Sequence, residues 1–120
     1  MSKIPKSHPR YKSLKTRDLI VGGIKKGITS EHGLIAQGRG EAFDYLLGEK
    51  TNDFAKKSID SAAALFLLAK HPVISVNGNS AALVPKELAK LSKVLQALLE
   101  VNLFHSSKKR EMNKKIKIAI

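Results

Sequence analysis

The run VISV at 73–76, followed at once by Asn77, Gly78, Asn79 and Ser80, constrains the fold more than any other part of the chain. A short apolar, β-branched run that stops at a polar cluster reads as a buried strand ending in a turn. Pro85 then opens a helix with Leu88, Leu91, Val94 or Leu95, and Leu98 along one side, and residues 101–104 read as a second strand. Strand, helix and strand within about 30 residues make a βαβ unit, with parallel strands and a right-handed crossover. Ligands of open α/β sheets collect at the carboxyl ends of such strands. Asn77 and Asn79 are therefore candidate donors to a phosphate oxygen or a carboxylate of a substrate, and Asn102 extends the polar edge. The same asparagines also suit a turn in which they bond only to backbone. GNSAAL matches neither the G-x-G-x-x-G fingerprint nor a phosphate loop ending in GK and Ser or Thr, so neither standard nucleotide motif is present here.

Three helices are expected ahead of the strand. Pro9 suits the first turn of one that runs to about Lys26, with Gly27 after it. Leu14, Arg17, Val21, Ile24 and Ile28 follow three- and four-residue spacings, which places Arg17 on the apolar stripe. An arginine there must meet an acid or a ligand anion, or reach past its neighbours to water. The second helix is expected to start near Glu41, directly after Gly38-Arg39-Gly40. Glycines that admit a ligand close to the backbone, unpaired N–H groups at a helix start and one guanidinium together make phosphate-binding chemistry. A turning loop with a solvated arginine is the plainer reading of the same residues. Ala42, Phe43, Leu46 and Leu47 give this helix an apolar face, Gly48 is its left-handed cap, and Glu41 and Asp44 suit the first turn. Asn52 caps the third helix, from 53 to about 69, whose face of Ala55, Ile59, Ala62, Ala63, Phe66 and Ala69 permits close packing by a sheet or a helix, from this subunit or a second one. His71-Pro72 ends it.

A formal charge of +12 invites a nucleic-acid reading, but the excess sits at the two ends. Residues 1–26 carry eight Lys/Arg and one acid, residues 106–120 six and one, and residues 27–105 eight of each sign. Aromatics are 5% of the chain and do not interleave with the basic runs, so the stacking half of a single-strand signature is missing. A basic nucleic-acid-associated protein is the weaker alternative, and anionic small ligands fit better. The absence of cysteine removes disulfides, thiol nucleophiles and thiolate metal sites, and the four histidines at 8, 32, 71 and 105 lack paired ligand spacing. No metal site and no catalytic side chain is assigned. With no apolar run near the roughly 18 residues of a membrane span and no apolar signal core, a cytoplasmic protein is the expectation.

Longer runs carry a more specific signal. HPRYKSLKTRDLIVGGIKKGI at 8–28, GLIAQGRGEAFDYLLGEKT at 33–51, HPVISVNGNSAALVPKEL at 71–88 and LEVNLF at 99–104 resemble archaeal phosphopantothenate synthetase, the 4-phosphopantoate:beta-alanine ligase. The resemblance implies ATP-dependent, AMP-forming condensation of 4-phosphopantoate with beta-alanine to 4'-phosphopantothenate, a coenzyme A precursor, with ATP and Mg2+ required and a homodimer as the working form. It also implies that Arg17 and Arg39 bind ATP, with Gly38 and Gly40 beside them. The fold expected is α/β, a Rossmann-like three-layer arrangement with a parallel βαβ unit and N-terminal helices. One domain over 1–120 is expected, with a disordered lead at 1–7, a family-like region at 8–107 and a divergent basic tail at 108–120. Members of that family are about twice as long, so the chain reads as an amino-terminal half. A truncated, non-catalytic relative that keeps a dimer surface and an anion site is the second expectation.

Overall fold

The computed structural model describes residues 4–102. Its order is α1 (Tyr11–Lys25), α2 (Glu31–Leu47), α3 (Asp53–Leu68), β1 (Val73–Val76), α4 (Gly78–Leu83), α5 (Pro85–Leu95) and β2 (Leu98–Val101). β1 and β2 pair in parallel, Val73 opposite Leu98 through Val76 opposite Val101, and the N–H of Asn102 carries the ladder on to the carbonyl of Val76 at 2.9 Å. The expected βαβ unit is therefore present, in a mixed α/β fold with three helices ahead of the sheet and two between its strands. Alternation along β1 buries Ile74 and Val76. They join Ile28, Ala81, Ala82 and Ala97 in one core, covered by Phe66, Leu88, Ala89, Leu95, Leu99 and Val101.

Left-handed residues stop three of the helices. Gly27 follows α1 at φ 67°, Gly48 closes α2 at φ 84° and Gln96 closes α5 at φ 50°. At α2 the N–H of Glu49 reaches the carbonyl of Asp44 at 2.8 Å and that of Gly48 reaches Tyr45 at 3.4 Å, the paired bonds of a Schellman end. The end of α5 repeats this, with Ala97 to Ser92 at 2.9 Å and Gln96 to Lys93 at 3.4 Å. That turn explains why β2 begins at Leu98, three residues before the strand expected at 101–104. Leu98 belongs to this strand instead of extending the apolar side of α5. Residues 103 and 104, with the basic tail at 108–120, lie outside the described residues.

Three further expectations change. The polar cluster after β1 is not a bare turn but α4, capped by Asn77, whose side-chain oxygen accepts from the N–H of Ser80 at 2.9 Å. The second helix starts ten residues early, at Glu31 after an extended Ser30, and runs through all three glycines at 33, 38 and 40. Each interior glycine costs a helix about 1 kcal/mol, but the turns on both sides and the contacts at Gly33 and Glu41 hold the helix together through them. The apolar stripe drawn on α1 is not its buried face. Ile20 and Gly23 are buried, about 100° round from the Leu14–Arg17–Val21–Ile24 stripe. The rotation follows from close approach, because α1 lies against α4 where a Cβ on Gly23 would come within 2.8 Å of the Ala82 Cβ.

Helix α3 matches its expected span and ends before Pro72, but its side chains stay open. None is buried, Phe66 alone is packed against the core cluster, and Ile59, Leu65, Leu67 and Leu68 are exposed.

Candidate functional site

The first two helices form an antiparallel hairpin, since residues 26–30 join their near ends while Arg10, just before α1, reaches Glu41 about three turns into α2. Glu41 is the buried residue of α2, 9% exposed, and its carboxylate accepts from the Arg10 guanidinium and, at 3.5 Å, from Gln37 Nε2. The same guanidinium lies 5.4 Å from the centre of the Tyr45 ring, one turn further along α2. The hydrogen bond from Arg10 holds the Glu41 carboxyl below the usual carboxylate range, against the smaller opposing push of burial, and Ser13 and Gln37 act in the same direction as Arg10. In return, Glu41 raises the Arg10 guanidinium above its ordinary value. Glu41 is thus a paired carboxylate inside a helix and not a first-turn acid.

Arg39 sits two residues before Glu41, so it points about 200° away, to the opposite side of α2. It is exposed, at the middle of a stripe made by Ile35, Ala36, Ala42, Phe43 and Leu46, all exposed. Gly38 and Gly40 flank it inside the helix, and a Cβ on either would meet nothing within 4 Å. The phosphate-loop geometry expected of G-R-G is therefore absent: the N–H groups here belong to mid-helix residues, and the helix start lies at Glu31. What the glycines provide instead is an uncovered helix surface next to a guanidinium. Arg17 is also exposed, on the flank of α1, and not held on a buried stripe. Neither arginine has a hydrogen bond or ion pair among the described residues. Both charges are open to an anion, on adjacent helices of one hairpin.

The two asparagines have different jobs. Asn77 is exposed and caps α4. Asn79 accepts from the Thr29 hydroxyl at 2.9 Å and donates to the Gly33 carbonyl at 2.8 Å, so its amide links the α1–α2 connection to α4. Space there is tight. A Cβ on Gly33 would come within 2.5 Å of Asn79 Oδ1, and one on Gly78 within 2.8 Å of Thr29 Oγ1. Asn102 accepts from Ser75 Oγ at 2.7 Å across the sheet.

Arg10, Thr29 and the pairing of Glu41 were not singled out by spacing. A signal for them exists in the polar row Gly33, Gln37, Glu41, one residue per turn, which marks the side of α2 turned toward α1. No group of three or more metal-ligating side chains converges among the described residues. A cleft of about 270 Å3 lies between the ends of α3 and α5, lined by Phe66, Leu67, Pro72, Val94 and Leu95 among others. No helix among the described residues is long and apolar enough to cross a membrane.

Comparison with known proteins agrees with the sequence resemblance. The family model for phosphopantothenate/pantothenate synthetase matches residues 54–119. The 4-phosphopantoate–beta-alanine ligase of Thermococcus kodakarensis is 60% identical over 110 residues, covering 92% of this chain and 42% of that protein. The ligase of the same name from Methanospirillum hungatei is 59% identical over 107 residues, covering 89% of this chain and 44% of its own length. The corresponding Thermococcus onnurineus protein is 57% identical over 110 residues. This chain spans less than half the length of these relatives. On identity at this level across nine-tenths of its residues, the chain belongs to the phosphopantothenate/pantothenate synthetase family.

Proposed function

We propose that this protein acts in ATP-dependent condensation of 4-phosphopantoate with beta-alanine, giving 4'-phosphopantothenate for coenzyme A synthesis. The observation that carries the reading is the 60% identity to a 4-phosphopantoate–beta-alanine ligase. In the reaction the pantoate carboxylate attacks the α-phosphorus of ATP and pyrophosphate leaves. The amine of beta-alanine then attacks the acyl carbon, loses a proton and displaces AMP. Charge neutralisation and alignment of the reacting groups are the main tasks for a protein here. Arg17 and Arg39 are the groups offered for ATP phosphates, because both are exposed and unpaired among the described residues, and Gly38 and Gly40 leave the helix surface beside Arg39 open. Asn77, exposed at the end of β1, is the better of the two asparagines for a polar substrate group, since the amide of Asn79 is already engaged. Mg2+ is part of the proposal and would supply charge neutralisation at the nucleotide phosphates, beside Arg17 and Arg39.

A homodimer is part of the proposal, supported by the uncovered apolar faces of α2 and α3, and the reaction proposed is a cytoplasmic one. Those faces also favour a second reading, an anion-binding and self-associating protein without turnover. The test is an assay of the purified chain with ATP, Mg2+, 4-phosphopantoate and beta-alanine, followed by chromatography of nucleotides. AMP released only when both substrates are present supports the ligase reading. ATP binding without AMP release favours the second reading, and neither binding nor release overturns both.

A further inference from the structure

We propose that the Arg10–Glu41 pair is a positioning clamp that sets how α2 presents Arg39 to a phosphate, an inference that rests on the phosphate role given to Arg39 above. Apolar packing contributes little to this job at the middle and end of α2: Leu34 near its start is half-buried, but Ile35, Phe43, Leu46 and Leu47 are exposed, and the buried residue of the helix is Glu41. The hold on α2 is polar: the amide of Asn79 on the Gly33 carbonyl near its start, and Arg10 on Glu41 farther along. One guanidinium bridges two residues a turn apart there, bonding Glu41 and lying 5.4 Å from the Tyr45 ring centre.

The clamp also falls where the helix is weakest. Gly38 and Gly40 each lower the local helix preference by about 1 kcal/mol, and Glu41 is the next residue. Arg39, between those glycines, points from the far side of the same turns. A rotation or fraying of α2 at this point therefore moves Arg39 with it. Loss of Arg10 leaves the Glu41 carboxylate without its cation on the inner side of α2, with neutral donors such as Gln37 at 3.5 Å in its place, so hydrating the charge favours an outward turn of the helix. Neither Arg10 nor Glu41 needs to touch the ligand, so both are positioning residues.

The experiment compares wild type with Arg10→Met, Glu41→Gln, the exchanged pair Arg10→Glu/Glu41→Arg, and Arg39→Met. Two readouts are taken on the full chain: ATP–Mg2+ affinity by calorimetry, and amide hydrogen exchange along α2. Each single clamp variant is expected to weaken ATP binding about tenfold and to speed exchange at residues 38–47 more than elsewhere, as small misplacements of binding groups do. The exchanged pair is expected to recover part of both. Arg39→Met is expected to lose affinity with exchange unchanged, which separates the contact from its support. Clamp variants with unchanged exchange at 38–47, with exchange raised equally throughout the chain, or with raised exchange but wild-type affinity, each overturn the proposal. If wild type binds no ATP, the phosphate reading of Arg39 falls, and the exchange data alone decide whether the pair holds α2.

Discussion

The hydroxyl of Thr29 donates to the side-chain oxygen of Asn79 at 2.9 Å, fifty residues away, and the amide nitrogen of the same asparagine donates to Gly33 at 2.8 Å. The α2 end of the first helical connection and the first turn of α2 are thereby tied to the helix that follows β1. Asn79→Ala removes both bonds and leaves the Thr29 hydroxyl short of its acceptor in a part-buried place, while the Gly33 carbonyl keeps its place in the ladder of α2. The expected cost is about 1–3 kcal/mol, read by urea denaturation. Asn77→Ala removes a cap and should cost about 1 kcal/mol. If Asn79→Ala is no less stable than wild type, the locking role is wrong.

The glycines divide into two groups with opposite predictions. Gly23 and Gly33 have neighbours within 2.8 and 2.5 Å of any added Cβ, so alanine at either should destabilise by about 1–3 kcal/mol through forced displacement. Gly38 and Gly40 are helical with open space around them, so alanine should stabilise the free protein by up to about 1 kcal/mol at each. If the bare helix surface there receives a phosphate, the same two alanines raise the melting temperature and weaken ATP binding together. Unchanged ATP affinity in both would remove the glycines from the site.

Arginine truncation tests the phosphate assignment most directly. Arg39→Ala and Arg17→Met should each lose one charge-assisted contact, about 1.5–3 kcal/mol or roughly ten- to a hundredfold in ATP affinity. Arg39→Lys should recover only part, because an ammonium lacks the planar fork. Melting temperatures should hardly move, since both side chains are exposed and have no partner among the described residues. Two variants that bind ATP as wild type does would end the assignment.

Acid should act through Glu41. Its folded-state pKa lies below its unfolded one, so the stability it adds is present above the ordinary carboxylate range and is lost as pH falls through the lowered value. From about pH 5 downward, wild type should therefore lose its advantage over Glu41→Gln. Arg10 stays protonated throughout that range and adds no slope of its own. Melting curves of both proteins between pH 7 and about pH 2 check this, and parallel curves across the range would contradict it.

Self-association is expected through α3, where the small-residue face carrying Ala55, Ile59, Ala62 and Ala63 has no buried member. Light scattering should report a dimer, and Ile59→Asp should shift it toward monomer by placing a charge in the contact. A monodisperse wild-type monomer at working concentration would rule the dimer out.

Local rules were enough for much of the fold. The strand at 73–76, the helix opened by Pro85, the cap at Gly48 and the extent of α3 were all legible because each depends on a few adjacent residues: β-branching, a fixed proline φ, or a glycine free to take φ 84°. Parallel pairing followed from the length of the connection. Rotation about a helix axis and the fate of individual polar groups were not legible, because they depend on partners distant in sequence. Arg17 shared an apolar spacing, yet α1 turned Ile20 and Gly23 inward because only a glycine allows the approach to Ala82. Gly38-Arg39-Gly40 resembled a loop, yet a helix ran through it once Glu41 found Arg10 thirty-one residues earlier. The chain by itself determined that 73–76 is a strand, that helices open at Pro85 and stop at Gly48, how far α3 runs, and which family the chain belongs to. Tertiary contact alone decided that Asn79 is a structural link, that Glu41 is paired, and that Arg39 stands open, because a buried polar group is settled by whichever donor or acceptor the packing brings within reach.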